Sequence, residues 1–332
     1  MEKIQSAEAK DYEQIQRFLE DAYGHSYNAF LNMYPALWHK DTTDYRHIYS
    51  IREEGRIVSL VRLFPLDLIL GPVSVKVAGI GSVSTSPSVR GKGYMNRLME
   101  HATAKMKEEG FPISVLSGDR HRYQTFGYEE AGTTLNLVIN RRGLHKTGVK
   151  PIFPQRYSGQ ENLLVKISAA YEKNHYRKIR TKEEYALLYQ KPGLLLFSAG
   201  DDKDFGYLAL SGEHGAGGCA EFGGSAQTIM RITGYVMERF GLSSLNFFFP
   251  DKAVIPEPIL QAASGWNITS STMLKIVDLE KTLSLFAPQH QERKIPDLAS
   301  LKTVPETEQV SALFSTFPGS PFNIFLWPLD HI

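Results

Sequence analysis

The run from Ala78 to Gly110, AGIGSVSTSPSVRGKGYMNRLMEHATAKMKEEG, constrains the fold more than any other stretch of the chain. It opens as a strand of small residues and passes through Ser86-Pro87 into the glycine-punctuated turn Arg90-Gly91-Lys92-Gly93. A helix follows, with Met95, Leu98, Met99 and Ala102 three and four apart, the spacing of one buried face. Strand, glycine turn and helix in that order gather backbone N–H groups and the positive end of a helix around one point, beside the cations Arg90 and Lys92. This is a cradle for an anion such as a pyrophosphate. It is not a dinucleotide fingerprint, which needs three glycines at another spacing. Nor is it a P-loop, because Gly91-Lys92 is followed by Gly93 rather than Ser or Thr.

A second block lies downstream. Phe111 to Leu116 reads as a buried strand and Ser117 to Arg122 as a polar turn, followed by Tyr123-Gln124-Thr125-Phe126-Gly127-Tyr128-Glu129-Glu130. The two blocks in this order resemble the GCN5-related N-acetyltransferases (GNAT). The coenzyme A loop of that family reads Arg or Gln, two residues, Gly, one residue, Gly or Ala; Arg90, Gly93 and Met95 occupy those places, and Met95 departs from the pattern. The family's short helix with Tyr, three residues, Gly, aromatic is matched by Tyr123, Gly127 and Tyr128. The resemblance implies an α/β fold on a mixed sheet and acetyl-CoA as co-substrate. It implies coenzyme contacts from Val83, Ser84 and Thr85 along the strand, from Arg90, Gly91, Lys92, Gly93, Tyr94, Met95 and Asn96 at the turn and helix start, and from Ser117 and Gly118. It also implies that Tyr123 is the general acid, a role a phenol with pKa near 10 can fill toward a departing thiolate. Tyr128 is assigned to packing.

The rest of the chain frames this unit. A strand over Lys3 to Gln5 leads to an amphipathic helix using Ile15, Phe18, Leu19 and Tyr23, with Asp11 placed to cap it. The aromatic-rich segment Tyr27, Phe30, Leu31, Tyr34 and Trp38 is either core or, in part, the wall of an acceptor cleft. Ile48 to Ser86 alternates as a meander of Tyr49 to Arg52, Arg56 to Pro65, Leu66 to Leu70 and Val73 to Thr85. Asn140 to Pro154 reads as a linker. A second unit then repeats the order of elements: helices over Glu161 to Tyr176 and from Glu183, strands at Gly193 to Ser198, Gly206 to Ser211 and Cys219 to Gly223, a helix over Thr228 to Phe240 and a strand over Leu245 to Pro250. At its strand-to-helix junction Gly223-Gly224-Ser225 has no basic neighbour. The expected organisation is a GNAT acetyltransferase domain over 1–142, a degenerate GNAT-like domain without a coenzyme loop over 152–286, and a C-terminal segment over 287–332. The apolar tail from Pro321 to Ile332 should dock back toward the active site.

Tandem layout, the run Val83 to Gly93, the block Tyr123 to Tyr128 and the apolar tail resemble one class of the superfamily, the enhanced-intracellular-survival acetyltransferases, which use the chain's terminal carboxylate as base. The region after Phe286 is too short for the sterol-carrier-like domain those proteins usually carry. By this resemblance the carboxylate of Ile332 is the candidate base, with Asp330, His331 and Glu129 competing, and His121 either orients Tyr123 or faces water. The acceptor is a small-molecule or peptide amine, either an aminoglycoside-like polyamine or a lysine side chain. A polycation would need a cleft lined by acids, for which Glu20, Asp21, Glu129, Glu130 and Asp330 are available. The class forms rings, so a homo-oligomer is compatible. Two other readings remain open: a non-catalytic coenzyme-binding or scaffold protein whose tail plugs its own cleft, and an aminoacyl-tRNA-dependent transferase. The second lacks a basic stripe.

Charge and cysteine content narrow the rest. With 37 basic against 36 acidic residues, no overall field favours nucleic acid or an anionic membrane. Cys219 is the sole cysteine, which excludes an internal disulfide and a cysteine-based zinc site, and no metal is expected. The start of the chain lacks a signal-like pattern and no apolar run approaches the ~20 residues of a membrane span, so the expected compartment is the cytoplasm.

Overall fold

The structure is a computed structural model that describes residues 2–26, 28–212, 218–290, 292–317 and 319–331. Thirteen strands among these residues form two sheets: β1 (Ile4–Ser6), β2 (Ile48–Glu53), β3 (Arg56–Leu70), β4 (Val73–Thr85), β5 (Ile113–Leu116), β6 (Glu129–Asn140), β7 (Gln155–Arg156), β8 (Tyr176–Lys178), β9 (Leu195–Ala199), β10 (Gly206–Ser211), β11 (Gly218–Gly224), β12 (Ser244–Phe249) and β13 (Ala263–Ile276). The larger sheet runs β1-β2-β3-β4-β5-β13-β6-β12, with β8 added beside the far end of β3. Its pairs are antiparallel except β4 with β5, so it is the mixed α/β sheet expected. The smaller sheet runs β11-β10-β9-β7.

The sheets do not divide the chain as its order suggests. Within 152–286, expected as one unit, β7 and β9 to β11 build the small sheet, while β8, β12 and β13 join the large one. β13 fills the slot between β5 and β6, pairing Leu274 with Val115 on one side and with Glu129 on the other. Periodicity carries no trace of this, because a strand's alternation reports which faces are buried and not which neighbour it has.

Apolar faces account for the layers. α1 (Tyr12–Tyr23), α2 (Ala29–Met33) and α3 (Pro35–Trp38) cover one side of the large sheet, burying Ile15, Leu19, Phe30 and Trp38 against Leu60, Phe64 and Val77. α4 (Tyr94–Glu108) covers the other with Leu98, Met99, Ala102 and Met106. β5, sandwiched between layers, is buried on both faces. Expectation and structure differ locally. Asp11 does not cap α1 with its side chain; its carboxylate accepts the Glu8 N–H at 2.9 Å and pairs with Arg52 at 2.9 Å. Pro65 does not break the meander: β3 continues through it, because β2 stops at the Ile48–Arg62 pair and β8 starts at Leu68, so no partner there needs an N–H. The helix from Glu161 ends at Tyr171, and the expected linker contains a helix, Arg141–Lys146, capped by Asn140.

The tail crosses both units. Phe322 packs on Phe286 and Phe314, the side chain of Asn323 bonds Thr133 and Pro250, and the Trp327 ring N–H donates to the Tyr176 carbonyl at 2.9 Å. Asp330 ends the run in a buried cluster described below. Among the described residues, no helix is long and apolar enough to cross a membrane.

Candidate active site

β4 and β5 part company at the centre of the large sheet. Their parallel ladder runs from the Val77–Ile113 pair to the Ile80–Leu116 pair; β5 stops there while β4 continues to Thr85. On its other side β4 pairs Gly81 with Arg62 and Ser84 with Leu60, so Ser82 and Val83 oppose Val61 alone. This is a β-bulge, with Ser82 at φ 55°. Beyond Ile80, β4 therefore presents an edge with no strand on its β5 side. The Tyr23 hydroxyl, at the end of α1, donates to the Val83 carbonyl at 3.1 Å.

β4 runs into the glycine turn. Gly91 and Gly93 sit at φ 84° and 75°, where glycine carries no Cβ penalty, and an added Cβ at either would meet nothing within 4 Å. Gly93 is the cap residue of α4 and no side chain bonds the helix start, so the first-turn amides of Tyr94, Met95 and Asn96 have no intrahelical acceptor. These amides open on a cleft of about 660 Å³ whose lining includes Val83, Ser84, Thr85, Arg90, Gly91, Gly93, Tyr94, Met95 and Asn96. Lys92 is not on this wall. Its ammonium lies 2.7 Å from Glu53, which also accepts from the Tyr94 hydroxyl at 2.5 Å, and this bonding holds the Glu53 carboxyl below its usual range. Arg122 and Tyr23 line the cleft instead. A partner 39 residues away in sequence, as Glu53 is from Lys92, leaves no local signal.

A second hollow, about 230 Å³, adjoins the first through Tyr23 and Val83, which line both. Tyr123 and Ser117 stand at its β5 end, and Phe30, Tyr34, Leu37, Trp38 and Phe64 make its walls. Tyr123 lies on α5 (Arg120–Gln124), whose start is capped by the Asp119 carboxylate accepting the Arg122 N–H at 3.0 Å. Gly118 serves Tyr123 by its size: a Cβ there would lie 2.4 Å from the ring's Cε2. Tyr128 is fully buried, edge-on to Tyr123, and its hydroxyl meets that of Ser114 at 2.7 Å, in keeping with packing. Burial raises the Tyr123 pKa above the ordinary phenol value, and Arg122 pulls the other way. Burial of its hydroxyl, with Tyr123 nearby, pushes Tyr23 up to about 12. Tyr23, Arg122 and Phe64 were legible only as helix, turn and strand residues.

Residues 3–131 match the family described as Acetyltransferase (GNAT) domain. This part of the chain is similar to that family. Solved structures share the fold over most of the chain. A GCN5-related N-acetyltransferase from Kribbella flavida is 15% identical with a TM-score of 0.65, covering 85% of this chain and 73% of its own. One from Anabaena variabilis is 19% identical at 0.61, with 86% and 75% covered. Eis1 from Mycobacterium abscessus is 15% identical at 0.59, with 85% and 75% covered. No curated protein matches the chain.

The acids expected to line an acceptor cleft do not converge on the hollow that holds Tyr123. Glu129 is held by Arg120, at 2.6 Å and 2.7 Å, and by Gln124, which keeps its carboxyl below the usual range. Glu20 accepts the Asn28 N–H, and Asp21 and Glu130 are exposed. Asp330 is buried with Arg180, Glu221 and Tyr171, at 2.7 Å from both the Arg180 Nη2 and the Tyr171 hydroxyl. Burial opposes the charge on Arg180, but Asp330 and Glu221 outweigh it and raise its pKa further. His331 lines a separate hollow that shares Tyr34 and Leu37 with the chamber. Ile332 lies outside the described residues, as does Tyr27.

Proposed function

We propose that the protein is an acetyl-CoA-dependent N-acetyltransferase that moves an acetyl group to a primary amine by direct attack in a ternary complex. The observation that carries this reading is the end of β4 that has no strand on its β5 side, which runs between the glycine-turn cleft and the chamber holding Tyr123. The pyrophosphate of the coenzyme fits the open amides of Gly93 to Asn96, with Arg90 and Arg122 supplying charge. Its pantetheine arm lies along Val83 to Thr85, whose free edge pairs with the arm's amides as an added strand would. The thioester then reaches the chamber at Ser117 and Tyr123.

The acceptor nitrogen attacks the thioester carbonyl, forming a C–N bond as the C–S bond breaks. Tyr123 gives its proton to the departing sulfur, and the base takes the proton of the amine. The phenol is protonated at neutral pH, as an acid must be, and burial raises its pKa further. The proposed base is the carboxylate of Ile332. In support, the anchored Asp330 holds His331 beside Tyr34 and Leu37, two walls of the chamber. Two residues added after Ile332 should abolish turnover, and wild-type rates in the extended chain exclude this base.

The direct test is free-thiol release from acetyl-CoA by the purified protein against a panel of amines. Release that depends on an amine is expected. Coenzyme binding without release on any amine overturns the transferase in favour of a non-catalytic coenzyme-binding protein.

A further inference from the structure

The chamber's electrostatics select among amines, an inference that rests on the acetyl-transfer reading above. None of its lining side chains is a carboxylate among the described residues. Cations stand behind its aromatic walls instead. Arg62 is 4% exposed, with its guanidinium 4.3 Å from the centroid of Trp38 and 4.4 Å from that of Phe64. It donates to the Leu37 carbonyl at 2.7 Å, and among the described residues its Nε has no partner and no carboxylate bonds it. Asp44, the acid that acts on it from a distance, is bonded to Arg46 and His47. Lys191 lies 5.6 Å from the ring of Tyr34, another wall. Burial pulls the Arg62 pKa down to about 9, which still leaves it charged at neutral pH.

Aromatic faces ordinarily attract an ammonium. Here protein cations already lie against Trp38, Phe64 and Tyr34, so an incoming second ammonium meets like charge across those walls and finds no acid to pair with among the described lining residues. The carboxylate proposed above as the base would be engaged by the reacting amine. At about 230 Å³ the hollow is also smaller than the ~300 Å³ usual at the low end for drug-sized ligands. We infer that the acceptor is a small monoamine on an apolar or aromatic body, and that this chamber rejects acceptors carrying a second cation.

The test compares matched amines with the full chain at saturating acetyl-CoA: 1-aminohexane against 1,6-diaminohexane, and 2-phenylethylamine against spermidine and kanamycin. The monoamines should exceed their polycationic counterparts by at least about tenfold in kcat/KM. Equal or faster release with the diamine, spermidine or kanamycin overturns the acceptor class while upholding acetyl transfer; no release with any amine overturns both. Ser82→Asp adds a carboxylate to the chamber wall at a φ of 55° that Asp tolerates. It should narrow the gap between hexylamine and its diamine by about tenfold, and an unchanged gap overturns the electrostatic cause.

Discussion

The chain makes a strand-to-glycine-to-helix junction twice and uses it in opposite ways. Where β4 leads into α4, Gly91 and Gly93 face open space, no side chain caps the helix, and the cleft measures about 660 Å³. Where β11 leads into the helix Ala226–Arg239, Ser225 caps that helix itself and its N–H donates to the Phe205 carbonyl at 2.8 Å. A Cβ on Gly224 would lie 2.3 Å from that same carbonyl, and the hollow beside it holds about 120 Å³. Both junctions need glycine at positive φ. One spends the freedom on leaving donors unsatisfied, the other on packing backbone against backbone. The comparison shows that a glycine signature reports a backbone shape, and that the chemistry depends on whether the neighbours then fill it.

The comparison extends to polar groups. In the second half Arg180 binds Asp330 and Glu221 in a fully buried cluster, with the hydroxyls of Tyr189 and Tyr207 on Glu221 at 2.6 Å and 2.9 Å. Arg180→Met should be the most damaging change proposed, costing about 3–5 kcal/mol by stranding two buried carboxylates; chemical denaturation of the variant measures it, and a loss below about 1 kcal/mol would mean that the cluster does not hold the tail. Tyr123→Phe tests the open half: turnover should drop by about 10² or more with coenzyme affinity nearly unchanged, and steady-state kinetics with calorimetric titration of coenzyme separate the two. Equal turnover removes Tyr123 as the acid.

A paired substitution sharpens the contrast directly. Gly93→Ala and Gly224→Ala impose the same kind of positive-φ strain, about 1–2 kcal/mol each. Gly224→Ala adds a clash and should lower stability by a further ~1–3 kcal/mol with no change in coenzyme affinity. Gly93→Ala should weaken coenzyme binding about tenfold, equivalent to ~1.4 kcal/mol. Coenzyme affinity that responds to Gly224 rather than Gly93 would reverse the assignment of the two junctions. The smallest effect is in pH. Burial raises the folded Tyr123 pKa above its reference value of 10.0, so its acid form persists beyond the ordinary phenol range. The rate should rise with pH as the acceptor amine loses its proton, with no falling limb below about pH 10. A fall starting near pH 8 assigns the acid to another group.

Much of this is legible in the sequence. The Arg90 to Gly93 turn, the face formed by Leu98, Met99 and Ala102, and the Tyr123 block are local patterns, and local patterns survive in a sequence. The strand parting is not legible there, and nothing in Ser82-Val83 marks the bulge. What stayed hidden depends on distant partners: Lys92 is turned away by Glu53, Glu129 is claimed by Arg120 across the turn that carries Tyr123, and β13 enters a sheet whose other central strands precede it by more than a hundred residues. Side-chain type told which groups could meet, and only the topology decided which did.

That late-arriving strand has a consequence for how the protein is made. As the chain leaves the ribosome, β4, β5 and β6 appear early, but the slot between β5 and β6 has no occupant until Ile276 has been synthesised. Two strand edges must wait beside each other in the nascent polypeptide, open to the wrong partner for many seconds at ~5–20 residues per second. Domains are usually thought to mature in the order in which they are translated. Here the first-translated half is finished by the second, so a chain interrupted between them would carry every residue assigned to the coenzyme cleft without the sheet that sets them in place.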